Sequence, residues 1–279
     1  MSQPPPAFPP KTKTKIGVLA LQGSFAEHCA HVRRCGGEPV EVRKAEQLVG
    51  CSGLIIPGGE STTMANICRR WNLFEPLRDF AASGGAVWGT CAGLIFLADR
   101  IGRGAKQGGQ ELLGGLDVTV DRNFFGSQAR SITTPVPTSM RCAVPDADDG
   151  SDTPFRAIFI RAPAILSAGP GVEVLAEYAL PEEKRAELRG TDAEDVEKII
   201  VAVKQGGNLL ATSFHPEVTS DVRWHKLFLE MSSAAKAYAG VGEDAVRKAS
   251  ESEIALIHPG LLPTFTDSVF AGAAQQGGA

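Results

Sequence analysis

The sequence predicts an α/β fold: a three-layer sandwich with a mostly parallel central sheet and helices on both faces. Three observations predict it. Short apolar runs alternate with helix-length stretches through the first hundred residues. The runs are apolar at consecutive positions, the pattern of strands covered on both sides. Glycines fall where one kind of segment gives way to the next.

The elements follow in order. KIGVLALQ (15–22) is a compact apolar run that ends at Gly23. Residues 24–35 read as a helix, with Ser24 as its N-cap and Gly36-Gly37 as its stop. PVEV (39–42) and GLIIP (53–57) are the next strands, and 61–70 and 73–82 the next helices. AVWGT (86–90) is a strand, followed by a helix over 92–99. The second half changes character, with strand patterns at 116–122, 155–163, 172–179 and 199–214 joined by short connections. Gly206-Gly207 splits the last pattern and signals a hairpin. A helix is expected over 221–239.

The ends and two internal stretches stand apart. Prolines at 4, 5, 6, 9 and 10 make 1–14 an extended, solvated arm. Residues 15–239 form the main domain and 240–279 an extension. The last residues of that extension, AGAAQQGGA, cannot bury a core. Residues 145–154 are acidic and turn-rich and look inserted. Residues 181–198 are charged throughout and read as a second insertion, either a solvated loop or an exposed helix.

Composition excludes several function classes. The net charge of −4 argues against a nucleic-acid surface. No apolar run is long enough for a membrane span, and no signal core follows Lys11, Lys13 and Lys15. A cytoplasmic location is the expectation. The six cysteines, at 29, 35, 51, 68, 91 and 142, include no CxxC pair, so a zinc site is not expected.

Gly89-Thr90-Cys91-Ala92-Gly93 lies between a strand and a helix, the setting of a nucleophile elbow. The sulfur would stand before the first helical turn, where free N–H groups and the positive helix end stabilise a thiolate. Taken alone, the pattern also fits a small buried cysteine in a tight turn. A thiolate needs a proton carrier, and five histidines are present, at 28, 31, 215, 225 and 258. His28 and His31 read as surface or half-buried helix residues, and His225 and His258 likewise as structural. His215 differs, because Pro216 holds it extended and places Glu217 two residues on, on the same face. A carboxylate beside one imidazole nitrogen fixes the tautomer and frees the other nitrogen to take a proton. The third place is Ile56-Pro57-Gly58-Gly59-Glu60-Ser61, a strand entering a turn. Its backbone near Gly58, with that of Ala92, would supply oxyanion donors. The same turn also fits an ordinary strand–helix connection capped by Ser61.

PGGES, GTCAG and FHPE, in that order, resemble the class I (triad) glutamine amidotransferases. ALQGSFAEH (20–28), PGGEST (57–62), WGTCAGLIFLA (88–98), DRNFFGSQ (121–128) and FIRAP (159–163) resemble, more narrowly, the glutaminase subunits of pyridoxal 5′-phosphate synthases. The likeness runs from about residue 15 to about residue 239 and implies a flavodoxin-like glutaminase fold. It implies hydrolysis of L-glutamine to glutamate and ammonia, with Cys91 as nucleophile and His215 and Glu217 as relay. It implies that Gly59, Glu60, Ser61, Arg122, Ile160 and Arg161 hold glutamine, and that a synthase subunit receives the ammonia. No metal or cofactor is implied. Three other readings stay open at this point: a class I glutaminase serving another synthase, a catalytically silent binding module, and a redox protein with an elbow cysteine.

Overall fold

The computed structural model describes residues 13–102, 110–122, 124–125, 132–135, 155–189 and 196–240. The Pro-rich arm, the 145–154 insertion, Cys142, His258 and the C-terminal extension beyond Gly240 lie outside the described residues.

The first half alternates strand and helix. Its elements are β1 (Lys15–Leu19), α1 (Phe25–Arg34), β2 (Glu38–Val42), β3 (Gly53–Ile56), α2 (Ser61–Arg70), α3 (Phe74–Ala82), β4 (Ala86–Thr90) and α4 (Ala92–Leu97). The second half holds β5 (Ala98–Ile101), β6 (Leu116–Asp121), β7 (Ile132–Pro135), β8 (Arg156–Phe159), β9 (Ala164–Ala168) and β10 (Val172–Ala179). It closes with α5 (Glu182–Leu188), β11 (Lys198–Gln205), β12 (Leu209–Thr212) and α6 (Arg223–Ala234).

The main sheet runs β2-β1-β3-β4-β12-β11-β9-β6-β5, with β10 also paired to β11. From β2 to β12 every pairing is parallel, and from β12 through β11 and β9 to β6 it is antiparallel. β5 returns parallel to β6, and β7 and β8 form a separate two-stranded sheet. The expected hairpin closes between β11 and β12, with Gly206 at φ 58° in its turn.

Alternation along the central strands builds two cores. Ile55, Trp88 and Leu210 face one side, with Val32 of α1 and Trp224 and Phe228 of α6. Leu54, Ile56, Val87 and Ala211 face the other, with Met64 of α2, Leu77 and Phe80 of α3 and Leu94 of α4. The sheet is therefore covered on both faces, which is the three-layer sandwich. Fully buried Trp88, Trp224 and Phe80 each contribute about 2–3 kcal/mol of apolar burial. Among the described residues no helix is long and apolar enough to cross a membrane.

Three expectations need correction. The helix over 92–99 stops at Leu97, because Ala98 turns extended and pairs with Leu116. Asp99 then accepts the Gly115 N–H at 2.7 Å, which fixes that strand. The helix over 221–239 ends at Ala234. The chain beyond it returns to the segment leading into β3, where Tyr238 exchanges backbone hydrogen bonds with Gly50 and Cys51. The strand over 155–163 is shorter than expected: β8 covers Arg156–Phe159 in the small sheet, and the chain turns at Arg161, φ 50°, before β9 enters the main sheet at Ala164. Within the charged 181–198 stretch, of the two readings offered, 182–188 takes the helical one.

Candidate active site

Three adjacent parallel strands end on one edge of the sheet. Ile56 of β3 pairs with Gly89 of β4, and Thr90 of β4 with Thr212 of β12. The residues that follow are Gly58 after β3, Cys91 after β4 and His215 after β12. The carboxyl ends of neighbouring parallel strands are where α/β sheets build their sites.

Cys91 sits in a strained turn, at φ 48° and ψ −101°. Its N–H donates to the Thr212 carbonyl at 2.8 Å, so β12 holds the turn. The flanking glycines are required by space. A Cβ on Gly89 would lie 2.4 Å from the Gly93 backbone, and one on Gly93 would lie 2.0 Å from the Ile56 carbonyl oxygen. Ala92 opens α4, so the helix leaves its N–H without an internal acceptor. Cys91 itself is 5% exposed.

His215 follows β12 with its N–H donated to Ile158 of β8 at 2.9 Å. Its Nδ1 lies 2.8 Å from Glu217 Oε1, and its ring and the Cys91 side chain both stand against Gly58. Burial alone would lower the His215 pKa. The hydrogen bonds and charges of Cys91 and Glu217 outweigh burial and raise it, which favours imidazolium beside the thiol. The route to this geometry differs in part from the expected extended segment. His215 is extended, at φ −105° and ψ 87°, but Pro216–Val218 wind into a 3₁₀ turn that brings Glu217 back to the ring.

Glu217 is buried, and burial alone would raise its pKa. The neighbouring His28 and the hydrogen bonds from His215 and Ser24 more than reverse this and hold it below the ordinary carboxylate range. Ser24 Oγ donates to Glu217 Oε1 at 2.5 Å. Ser24 therefore stands at the N-cap of α1 without capping it, because its hydroxyl is committed to the site.

His28 corrects another expectation. It is fully buried rather than on a helix surface, with Nε2 3.4 Å from Glu217 Oε2. His31 and His225 are buried too, their rings 4.6 Å apart between centroids. The available signal was the apolar stripe Phe25–Cys29–Val32, whose i, i+4, i+7 spacing sets one face of α1. His28 flanks that face, whereas His31 lies about 100° round the helix from Val32, so the stripe signals the burial of His28 alone.

Of the glutamine-holding candidates, the structure brings Glu60, Ser61 and Arg122 together. Arg122, 8% exposed, donates from NH2 to Ser61 Oγ at 2.7 Å and to Thr62 Oγ1 at 3.2 Å. Its NH2 lies 3.8 Å from Glu60 Oε1, and its NH1 is buried with no partner among the described residues. Ser61 does not cap α2; Glu60 does, accepting the N–H groups of Thr62 and Thr63. Gly59 packs on Gln22, whose Oε1 accepts the Glu60 N–H at 2.8 Å. Half-buried Ile160 and exposed Arg161 follow β8 directly, two and three residues after the carbonyl that binds the His215 N–H.

Burial pushes the Cys51 thiol up to about 11, the Cys68 thiol up to about 12 and the Cys29 thiol upward. Among the described residues no group of three His, Cys, Asp or Glu is placed to hold a metal ion.

A family model described as the SNO glutamine amidotransferase family matches residues 18–234. A relative from Arabidopsis thaliana, "Probable pyridoxal 5'-phosphate synthase subunit PDX2", is 53% identical, with 82% of this chain and 93% of that one covered. "Pyridoxal 5'-phosphate synthase subunit PdxT" of Niallia circulans is 47% identical, with 80% of this chain and all of that one covered. A solved structure titled "Crystal structure of glutamine amidotransferase" matches at a TM-score of 0.61 and 40% identity. It covers 78% of this chain and 98% of its own.

Proposed function

The chain belongs to the SNO glutamine amidotransferase family, and from that premise we propose that it is the glutaminase subunit of a pyridoxal 5′-phosphate synthase, with Cys91, His215 and Glu217 as its triad. The observation that carries the reading is His215 set between two partners, the Cys91 thiol and the Glu217 carboxylate at 2.8 Å.

The reaction follows from that placement. The Cys91 thiolate attacks the side-chain amide carbon of glutamine, and the carbonyl oxygen takes up the negative charge. The N–H of Ala92 and the backbone at Gly58 stabilise that oxygen. His215 gives its proton to the amide nitrogen, the C–N bond breaks, and ammonia leaves a thioester on Cys91. His215 then takes a proton from water, hydroxide adds to the thioester, and glutamate departs as the thiolate re-forms. Glu217 holds one ring nitrogen throughout and offsets the imidazolium charge.

Glutamine carries an α-carboxylate and an α-ammonium at its far end. The NH1 of Arg122, buried and without a partner among the described residues, suits the carboxylate, with Ser61 and Thr62 fixing the guanidinium. Gly59, Glu60, Ile160 and Arg161 complete the binding site in this reading. Ammonia passes to a synthase subunit, the partner that the relatives' names indicate. The test is an ammonia-release assay with glutamine, with and without a pyridoxal 5′-phosphate synthase subunit. We expect stimulation by that subunit and no activity from Cys91→Ala. Full activity in Cys91→Ala overturns the nucleophile, and a rate indifferent to the synthase counts against the partner.

A further inference from the structure

We propose that His28 is a positioning residue for the triad: held by His225 as the tautomer that carries its proton on Nε2, it directs that N–H at the second oxygen of Glu217. The inference rests on the glutaminase reading and adds a member behind the relay.

Glu217 divides its two oxygens unequally. Oε1 serves both His215 Nδ1 and Ser24 Oγ. Oε2 is buried with no in-line hydrogen bond, which is costly for a carboxylate. The ring that faces it is His28, with Nε2 3.4 Å from Oε2 and 3.2 Å from Thr90 Oγ1. On the other side, His28 Nδ1 lies 3.0 Å from His225 Nε2. His225 Nδ1 is buried with no partner among the described residues.

That last atom sets the tautomers of both rings. A neutral imidazole has one N–H and one lone pair. Burying an unpaired N–H is rarer than burying an unpaired acceptor. His225 therefore keeps its bare nitrogen at Nδ1 and its proton at Nε2, which donates to His28 Nδ1. His28 must then carry its proton on Nε2, pointing toward Thr90 and Glu217. The opposite arrangement fails twice, since it orphans a buried N–H on His225 and sets the His28 lone pair against the Glu217 carboxylate. Both rings stay neutral, because burial lowers the His28 pKa to about 4 and that of His225 well below its ordinary value.

The effect on the reaction is alignment. With Oε1 hydrogen-bonded and Oε2 facing the positive N–H end of His28 at 3.4 Å, rotation of the carboxylate away from His215 is opposed, so the ring nitrogen that serves Cys91 keeps its direction. His28 touches neither substrate nor sulfur and acts through Glu217 alone.

Two substitutions separate this role from simple packing. The amide nitrogen of glutamine reaches the place of an imidazole Nε2, whereas that of asparagine reaches the place of Nδ1. With glutamine as substrate and the synthase present, His28→Asn is expected to lower kcat by about 10- to 10²-fold, the scale of a misaligned catalytic group. KM should hold steady, and His28→Gln should recover most of the loss. The acid limb of the rate profile should move up in His28→Asn and not in His28→Gln. The titratable groups facing His28 are Glu217, His215, His31, Glu27 and His225.

A reading on the unaltered protein guards against variants that fail to fold. Nitrogen-15 NMR of the histidine rings at neutral pH should show His28 protonated at Nε2 and not at Nδ1. The opposite tautomer, or equal kcat in the Asn and wild-type proteins, overturns the proposal. Cys91→Ala is run in parallel. An active Cys91→Ala fails the glutaminase reading, whereas an inactive one beside a fully active His28→Asn fails only the role of His28.

Discussion

Replacing Gly58 by alanine tests the placement of His215 with a single methyl group. The backbone at Gly58 is outside the left-handed region, so only space opposes the new side chain. That Cβ would lie 2.3 Å from His215 Cε1 and 2.8 Å from Nδ1, where ordinary contact starts at 3.4 Å. The deficit at Cε1 is 3.4 minus 2.3, about 1.1 Å. His215 has little freedom to give way. Its N–H is bound to Ile158, its Nδ1 to Glu217, and Pro216 restricts its backbone. Either the ring or the turn after β3 moves by about an ångström, and a displacement of that size costs about 10²-fold in rate. Overpacking adds about 1–3 kcal/mol of destabilisation, and each kcal/mol lowers Tm by about 2–4 °C in a domain of this size. The assay is ammonia release with the synthase present, beside a thermal melt. Gly171→Ala is the control, since nothing stands within 4 Å of its added Cβ. An unchanged kcat and Tm in Gly58→Ala would refute the placement of the ring against that turn.

Two further outcomes follow from the titrating groups. His28 is held to a pKa of about 4 against an ordinary 6.5, so its contribution to stability is complete above pH 6.5 and lost as pH falls toward 4. The loss is about 3 kcal/mol, and denaturant unfolding across that range should show it, with the dependence flattened in His28→Gln. Glu217 adds a second stage, because its depressed pKa gives stability that is present above the ordinary carboxylate range and lost at lower pH. Limiting iodoacetamide at neutral pH should label Cys91 before Cys51 and Cys68, whose buried thiols are pushed up to about 11 and 12. Mass spectrometry that finds Cys51 or Cys68 labelled first would reject this order.

The legible parts of the molecule are those set by local chemistry. α2 begins and ends where its pattern places it, and the Gly206-Gly207 hairpin forms as read. Cys91 stands in a strand–helix turn, and His215 beside Glu217, because glycine spacing and one proline act over a few residues. Features that depend on distant partners were not legible. His28 lies in a helix with polar neighbours, and its burial is settled by α6 and by Glu217, almost two hundred residues away. Ser24 has the residue type and place of an N-cap, yet a buried carboxylate claims its hydroxyl. The FIRAP run has strand composition throughout, but β8 ends at its first residue and Arg161 turns the chain toward β9 in the other sheet. Arg122 is marked only by resemblance, and its fixation by Ser61 and Thr62 depends on a contact between residues some sixty positions apart.

The strained backbone of Cys91 sets stability and activity screens against each other. A non-glycine residue at φ 48° and ψ −101° costs about 1–3 kcal/mol. Glycine would adopt that conformation without penalty. A library of variants sorted only for folding yield should therefore enrich glycine at 91, and every enriched clone would lack the sulfur. The position marks where selection for a working enzyme overrides selection for a robust one, and stability data alone would score the nucleophile as a defect.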